Sequence, residues 1–177
     1  MKRSIALIST GGTIEKTYDE LRGVLSNQVS VLDIMLASLE LRGVDIQRVQ
    51  LMNKDSLEMS PEYHTLIAQI ATRLAEAHAG VVVVHGTDRL AVSGERIVEL
   101  VGTPAAPIVF TGAMRPWELR ATDALQNLTE ALLAVQLVKP GVYVAMHNQL
   151  LQFPGVVKDP ARGTFVKRSA AAPVRCD

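Results

Sequence analysis

Five short polar clusters hold the residue types that can do chemistry: Thr10-Gly11-Gly12-Thr13, Lys54-Asp55-Ser56, His85-Gly86-Thr87-Asp88, Thr111-Gly112-Ala113-Met114-Arg115 and His147-Asn148-Gln149. They offer hydroxyls, acids and a few lysines. The four histidines, His64, His78, His85 and His147, form no pair with metal-ligand spacing, and the one cysteine, Cys176, stands beside the C-terminus. No zinc site is expected from that set. The chain has no GxSxG elbow, no Walker A motif and no GxGxxG. A threonine hydroxyl is a weak nucleophile and needs a nearby base. Tyr18 and Lys158 are the sequence candidates for activating Thr13. On loop position alone, Thr13 reads first as a cap on a turn or helix start, with Gly11-Gly12 as a tight turn.

The clusters need a scaffold. Short apolar runs alternate with longer amphipathic stretches. Strands are expected at residues 4–9, 45–52, 81–84, 107–111 and 142–146. Helices are expected at residues 31–41, from Ser60-Pro61 to about Ala79, at 90–101 and at 122–138. Ser60 would cap and Pro61 fits the first helical position. Val81-Val82-Val83-Val84 does not alternate, so both of its faces should be buried, as in a parallel sheet. The expected fold is therefore α/β: an open, mostly parallel five-stranded sheet with helices on both faces. Residues 1–177 read as one domain, with an irregular C-terminal segment from about 148. Every polar cluster then falls at the carboxyl end of a strand, where open α/β sheets bind ligands. Strand ends are also simply loops, and loops are polar. Several such clusters together favour a site.

Composition narrows the field. The chain has 177 residues, 48% of them hydrophobic and 20% charged, with a formal net charge of zero. No long run of one charge sign suggests nucleic acid or a membrane surface as a partner. The start, Met1 to Ile8, is too short an apolar stretch for a signal peptide before Gly11-Gly12 and Glu15 interrupt it. The lone Cys176 suits a reducing compartment. A cytoplasmic protein without membrane spans is expected.

At Thr10-Gly11-Gly12-Thr13-Ile14 and His85-Gly86-Thr87-Asp88 the sequence resembles the bacterial-type L-asparaginase and glutaminase-asparaginase family. Gly112-Ala113-Met114-Arg115-Pro116 looks like the family's third motif, and Asp123 and Asn127 also match. Asp55-Ser56 and Met59 look like its substrate-carboxylate loop. Lys158 falls where the family places its catalytic lysine. The resemblance covers nearly the whole chain and implies hydrolysis of the side-chain amide of L-asparagine to aspartate and ammonia. It implies Thr13 as the nucleophile that forms an acyl-enzyme, Tyr18 as the lid tyrosine that polarises it, and Thr87, Asp88 and Lys158 as the second catalytic group. It further implies that Asp88 holds the substrate α-ammonium and Ser56 the α-carboxylate, with Gly12, Thr87 and Ala113 also lining the substrate. No cofactor and no metal are implied.

The sequence also departs from the family pattern. Tyr18 comes early, after only Glu15-Lys16-Thr17. Phe153-Pro154 stand where the family often has Gly-Arg before the lysine, Leu57 replaces a polar substrate contact, and Glu58 stands where an Asp is common. These positions bear on substrate fit more than on reaction type. Typical members continue into a second α/β domain, so this chain reads as a short form or a piece. A site with fewer walls should prefer asparagine strongly over glutamine. The family's habit of pairing dimers into tetramers implies a homodimer or homotetramer. Two other readings compete: a non-catalytic aspartate/asparagine-binding sensor domain, and a phosphate binder using Thr10 to Thr13 at a helix start. The second is weak, since Lys16 is the only basic residue near the glycines.

Overall fold

The computed structural model describes residues 2–168. The expectation attached to Cys176 lies outside them. The central sheet takes β1 (Arg3–Gly11), β4 (Val44–Lys54), β5 (Gly80–Val84), β6 (Ile108–Thr111), β7 (Val142–Met146) and β8 (Gln149–Gln152). Its strand order is β4-β1-β5-β6-β7-β8. The five expected strands are all present and all parallel. A sixth, β8, turns back antiparallel on β7.

That sixth strand corrects the expected irregular segment from about 148. His147 and Asn148 take φ of 52° and 59° and make the two-residue turn. Successive left-handed residues are what a tight hairpin needs. Beyond β8 the chain forms a second hairpin, β9 (Val156–Asp159) and β10 (Thr164–Lys167). A third hairpin, β2 (Thr17–Asp19) with β3 (Val24–Ser26), follows the first strand.

The helices are α1 (Leu32–Ala37), α2 (Pro61–Ala77), α3 (Leu90–Val101) and α4 (Ala124–Leu137). The first is shorter than its apolar spacing predicts. The Ser38 hydroxyl donates to the Met35 carbonyl at 2.6 Å and the helix stops there, since such back-bonding competes with the helical ladder. Ser60 precedes α2 but does not cap it with its side chain; its hydroxyl donates to Glu62 instead.

The sheet has two cores because strand side chains alternate. Ala6, Ile8, Val81, Val83, Ile108 and Phe110 face α2 and α3. Ile5, Leu7, Val82, Val84 and Val109 face α1 and α4. All four valines of β5 are fully buried, as its unbroken apolar run predicts. Each buried valine or leucine stabilises by about 1.5–3 kcal/mol relative to exposure. This two-faced burial makes the sheet rigid and holds its loops in fixed places. Among the described residues no helix is long and apolar enough to cross a membrane.

Candidate active site

In chain order, the parallel strands lie second, first, third, fourth, fifth. Neighbouring connections therefore leave β1 and β5 toward opposite faces, and a crevice opens between their carboxyl ends. The two loops that meet there are Thr10 to Thr13 and His85 to Asp88. Their backbones touch: a Cβ on Gly12, which has φ +82°, would lie 2.3 Å from the Gly86 Cα. Glycine is required at both points of this contact. A Cβ on Gly86 would fall 2.5 Å from the Ser56 Oγ, so the loop after β4 closes the same crevice. Gly12 N–H donates to the Lys54 carbonyl at 2.8 Å and ties the first loop to the third.

Ser56 is 1% exposed, and its hydroxyl has no hydrogen-bond partner among the described residues. A buried unpaired hydroxyl costs about 1–3 kcal/mol, a cost a bound ligand would remove. Beside it, Asp55 accepts from Lys16 at 2.7 Å and from the Leu57 N–H at 3.0 Å. Burial pushes the Asp55 carboxyl up, but these two donors outweigh it and hold it below the usual range.

On the other wall, Lys158 reaches over from β9. Its Nζ donates to the Thr87 Oγ1 at 2.9 Å and to the Asp88 Oδ1 at 2.7 Å. Thr87 is 3% exposed, whereas the Asp88 side chain is 44% exposed. Asp88 does not cap the next helix; Arg89 takes that position. Three of the expected residues are thus brought into one hydrogen-bonded group from points 70 residues apart.

Thr13 starts a single 3-10 turn, Thr13–Glu15, directly after Gly12. Behind it Glu15 is buried and accepts the Gly11 N–H at 3.1 Å. Burial raises its carboxyl above the usual range, with Ser30, Gly11 and Arg48 acting the other way. Tyr18 stands apart from the Thr87 group. It is 57% exposed on the β2–β3 hairpin, with its hydroxyl near Gly23 in that hairpin's own turn. Its backbone N–H donates to Glu118 at 2.7 Å. The hairpin is anchored by Lys16 and by Asn27, whose amide donates to the Gly12 carbonyl at 2.9 Å and to Asn53 at 3.1 Å. Asn27 and Glu118 carry no motif signal, and the sequence reading missed both.

Ala113 lies on the loop after β6 and is 1% exposed. Asp123 holds that loop: its carboxylate accepts the Met114 and Arg115 N–H groups at 3.0 and 2.8 Å, the Asn127 amide at 2.9 Å and His147 Nε2 at 2.7 Å. Burial would raise this carboxyl; its donors win and hold it below the ordinary aspartate range. Asn127 also donates to the Gly112 carbonyl at 2.9 Å and accepts the His147 N–H at 3.0 Å. The two residues singled out with the third motif are therefore a brace for it.

Beneath the crevice His85 is fully enclosed, and burial pushes its pKa down to about 4. The neutral ring is the form the fold accepts. An unfolded histidine titrates near 6.5, so the unfolded chain takes up this proton first. The His85 contribution is complete above about pH 6.5 and lost as pH falls toward 4, by about 3 kcal/mol at most. Denaturant melts at pH 7.0, 5.5 and 4.5 should show this decline, and in His85→Asn it should flatten.

Comparison with known proteins decides the family. The model of the asparaginase N-terminal domain matches residues 4–168. This chain belongs to the asparaginase family. It is 30% identical over 149 residues to an L-asparaginase of Thermococcus kodakarensis, covering 83% of this chain and 45% of that protein. It is 33% identical over 151 residues to a glutamyl-tRNA(Gln) amidotransferase subunit of Methanobrevibacter smithii, covering 84% of this chain and 34% of that one. Among solved structures, a probable cytoplasmic L-asparaginase from Campylobacter jejuni superposes with a TM-score of 0.73 at 32% identity, over 89% of this chain and 48% of that one. This asparaginase-family chain thus spans less than half the length of each of these relatives.

Proposed function

We propose that this asparaginase-family domain hydrolyses the side-chain amide of L-asparagine, with Thr13 as nucleophile. The observation that supports it most is the Lys158 ammonium bonded to both Thr87 and Asp88, opposite the loop that carries Thr13. The Thr87 oxygen accepts from Lys158, so its own hydrogen remains free to donate toward a substrate. One Asp88 oxygen takes Lys158 and the other is left for an α-ammonium. The unpaired Ser56 hydroxyl suits an α-carboxylate. Fixing both ends of a zwitterion holds its side-chain amide against the nucleophile.

In the first step Thr13 Oγ bonds to the amide carbon, the C–N bond breaks, and the hydroxyl proton leaves with the nitrogen as ammonia. Water then adds to the ester, the Thr13 oxygen regains a proton, and aspartate departs. Tyr18 is assigned the lid role by family likeness, and it stands exposed on its hairpin. Gly12 and Ala113 complete the substrate lining in this reading.

The test is ammonia release from L-asparagine by the purified chain, with glutamine in parallel. Asparagine should turn over and glutamine far more slowly; aspartate binding without ammonia would instead establish the sensor reading. Lys158→Met sharpens it. The pair with Asp88 is half-exposed and worth only about 0–1 kcal/mol to the fold, whereas loss of a proton-handling group costs about 10²–10⁴ in rate. We expect at least a hundredfold lower kcat with little change in melting temperature. A proportionate small loss in both would remove Lys158 from the mechanism.

The likeness to an amidotransferase component favours a second reading of the same chemistry, in which the ammonia serves a partner rather than escaping. Ammonia release that appears only with a partner present would select it. Self-association is also proposed, as a homodimer or homotetramer. Leu133 and Leu137 on α4 and Leu150 on β8 are exposed and form an apolar strip of the kind that neighbouring copies cover. Light scattering should give at least a dimeric mass. A cytoplasmic setting belongs to the same proposal.

A further inference from the structure

Two buried histidines lie outside the steps above. His64 on α2 and His85 in the crevice loop stack with ring centroids 6.1 Å apart and planes 18° apart. Ser93 of α3 joins them: its Oγ is 2.7 Å from His64 Nδ1 and 2.9 Å from His85 Nε2. His85 Nδ1 is 2.8 Å from the Gly86 carbonyl oxygen.

That last contact sets the direction of the whole chain. A carbonyl only accepts, so His85 Nδ1 carries the hydrogen. The lone pair of the neutral ring is then at Nε2, and the Ser93 hydroxyl must donate to it. The Ser93 oxygen in turn accepts from His64 Nδ1–H. One acceptor thus orders three side chains on three elements.

The consequence falls on the peptide between Gly86 and Thr87. It is planar and trans, so its C=O and N–H point in opposite directions. With the carbonyl held by the imidazole, the Thr87 N–H is turned away from His85. It makes no backbone–backbone hydrogen bond among the described residues. Gly86 is also wedged between Gly12 and Ser56, so this peptide has no room to rotate. The fold keeps one amide donor oriented and unspent at the crevice.

We infer that His85, locked through Ser93 to His64, is a positioning residue that aims the Thr87 N–H at the oxygen that becomes negative during amide attack. The inference rests on the asparagine-amidase reading above. A lost oxyanion donor costs about 10²–10³ in kcat, so the effect should sit on kcat and spare KM.

The test combines spectra with kinetics. Nitrogen-15 imidazole spectra of the wild type at pH 7 should show both histidines neutral with the hydrogen on Nδ1; a hydrogen on His85 Nε2 would overturn the proposal. His85→Leu should lower kcat on asparagine about a hundredfold with KM little changed. His85→Asn, whose amide can replace the Nδ1 donor, should recover most of that loss. Should the leucine variant fail to fold, Ser93→Ala is read in its place, with a smaller fall in kcat and a changed His85 tautomer signal. Unchanged kcat in a folded His85→Leu or Ser93→Ala, or equal losses in His85→Leu and His85→Asn, would also overturn it. A separate readout guards against failure of the amidase reading itself: on adding aspartate, the Thr87 amide resonance should shift in the wild type and not in His85→Leu. A wild type that binds aspartate with that shift but releases no ammonia would sink the amidase reading and leave the positioning role standing.

Discussion

Thr13→Ala should reduce ammonia release from asparagine by at least a thousandfold, roughly the loss expected when a nucleophile is removed and only binding groups remain. Its melting temperature should stay within about 2 °C of the wild type, since a partly exposed threonine at a turn contributes little to packing. The competing role for Thr13 is structural. If it served as a cap, alanine would cost about 1 kcal/mol of stability and leave catalysis in proportion to folded protein. The structure puts Gly12, not Thr13, at the capping position of the 3-10 turn. The two roles therefore separate cleanly: melting temperature and rate are measured on the same samples. An alanine variant with wild-type kcat would remove Thr13 from the chemistry, and with it the proposed acyl-enzyme.

The parts of this protein that sequence made legible are those governed by pattern. Val81 to Val84 reads as a two-faced strand because helices cover both faces of the sheet at its centre. The sheet edge was foreseeable because each polar cluster follows a strand; the strand order that opens the crevice and the close approach of Gly12 to Gly86 were not. Lys158 was singled out by family likeness, and the fold brings it to Thr87 and Asp88. Local pattern failed where the partner is distant. Gln149 to Gln152 is a strand because β7 offers it an edge, not because its own four residues alternate. His64, Ser93 and His85 carry no periodic signal, since the contacts that unite them span 29 and 8 residues between separate elements. Tyr18 fell next to Thr13 in sequence, yet a hairpin carries its side chain out to solvent.

The second large effect is expected at Asp123. Replacing it with alanine strands four donors at once: the Met114 and Arg115 N–H groups, the Asn127 amide and His147. Hydrogen bonds to a charged group contribute about 1.5–3 kcal/mol each, and breaking a buried charged contact typically costs about 3–5 kcal/mol. For a chain of this size that is a fall in melting temperature of roughly 10 °C. Asp123→Asn should lie between, because it keeps one acceptor oxygen but turns an NH₂ toward the donors. The folded carboxyl titrates below its ordinary range. Its contribution is thus present above the usual aspartate pKa and lost as pH falls through the folded value, so the wild type and Asp123→Ala should converge in stability in strong acid. A loss under about 1 kcal/mol at neutral pH, less than a single such bond, would show that the Ala113 loop holds without this brace. Activity is the second measurement. If the loop lines the substrate, the folded fraction of Asp123→Ala should bind asparagine more weakly than the wild type.

The Lys158 bridge has a meaning for the order in which the chain is made. Asp88 and Thr87 leave the ribosome about 70 residues ahead of the ammonium that pairs with them. By then β1, β4 and β5 can already have assembled, since every strand they pair with lies before residue 112. The nascent sheet therefore carries an acid and a hydroxyl with no counter-charge until β9 emerges and folds back. A released chain truncated before residue 158 should hold a formed sheet and an inert crevice, and competence should appear only when β9 is included. The same dependence makes the β9–β10 hairpin a natural control point: a cut or a binding event there would silence the site by withdrawing Lys158, without unfolding the sheet that holds it.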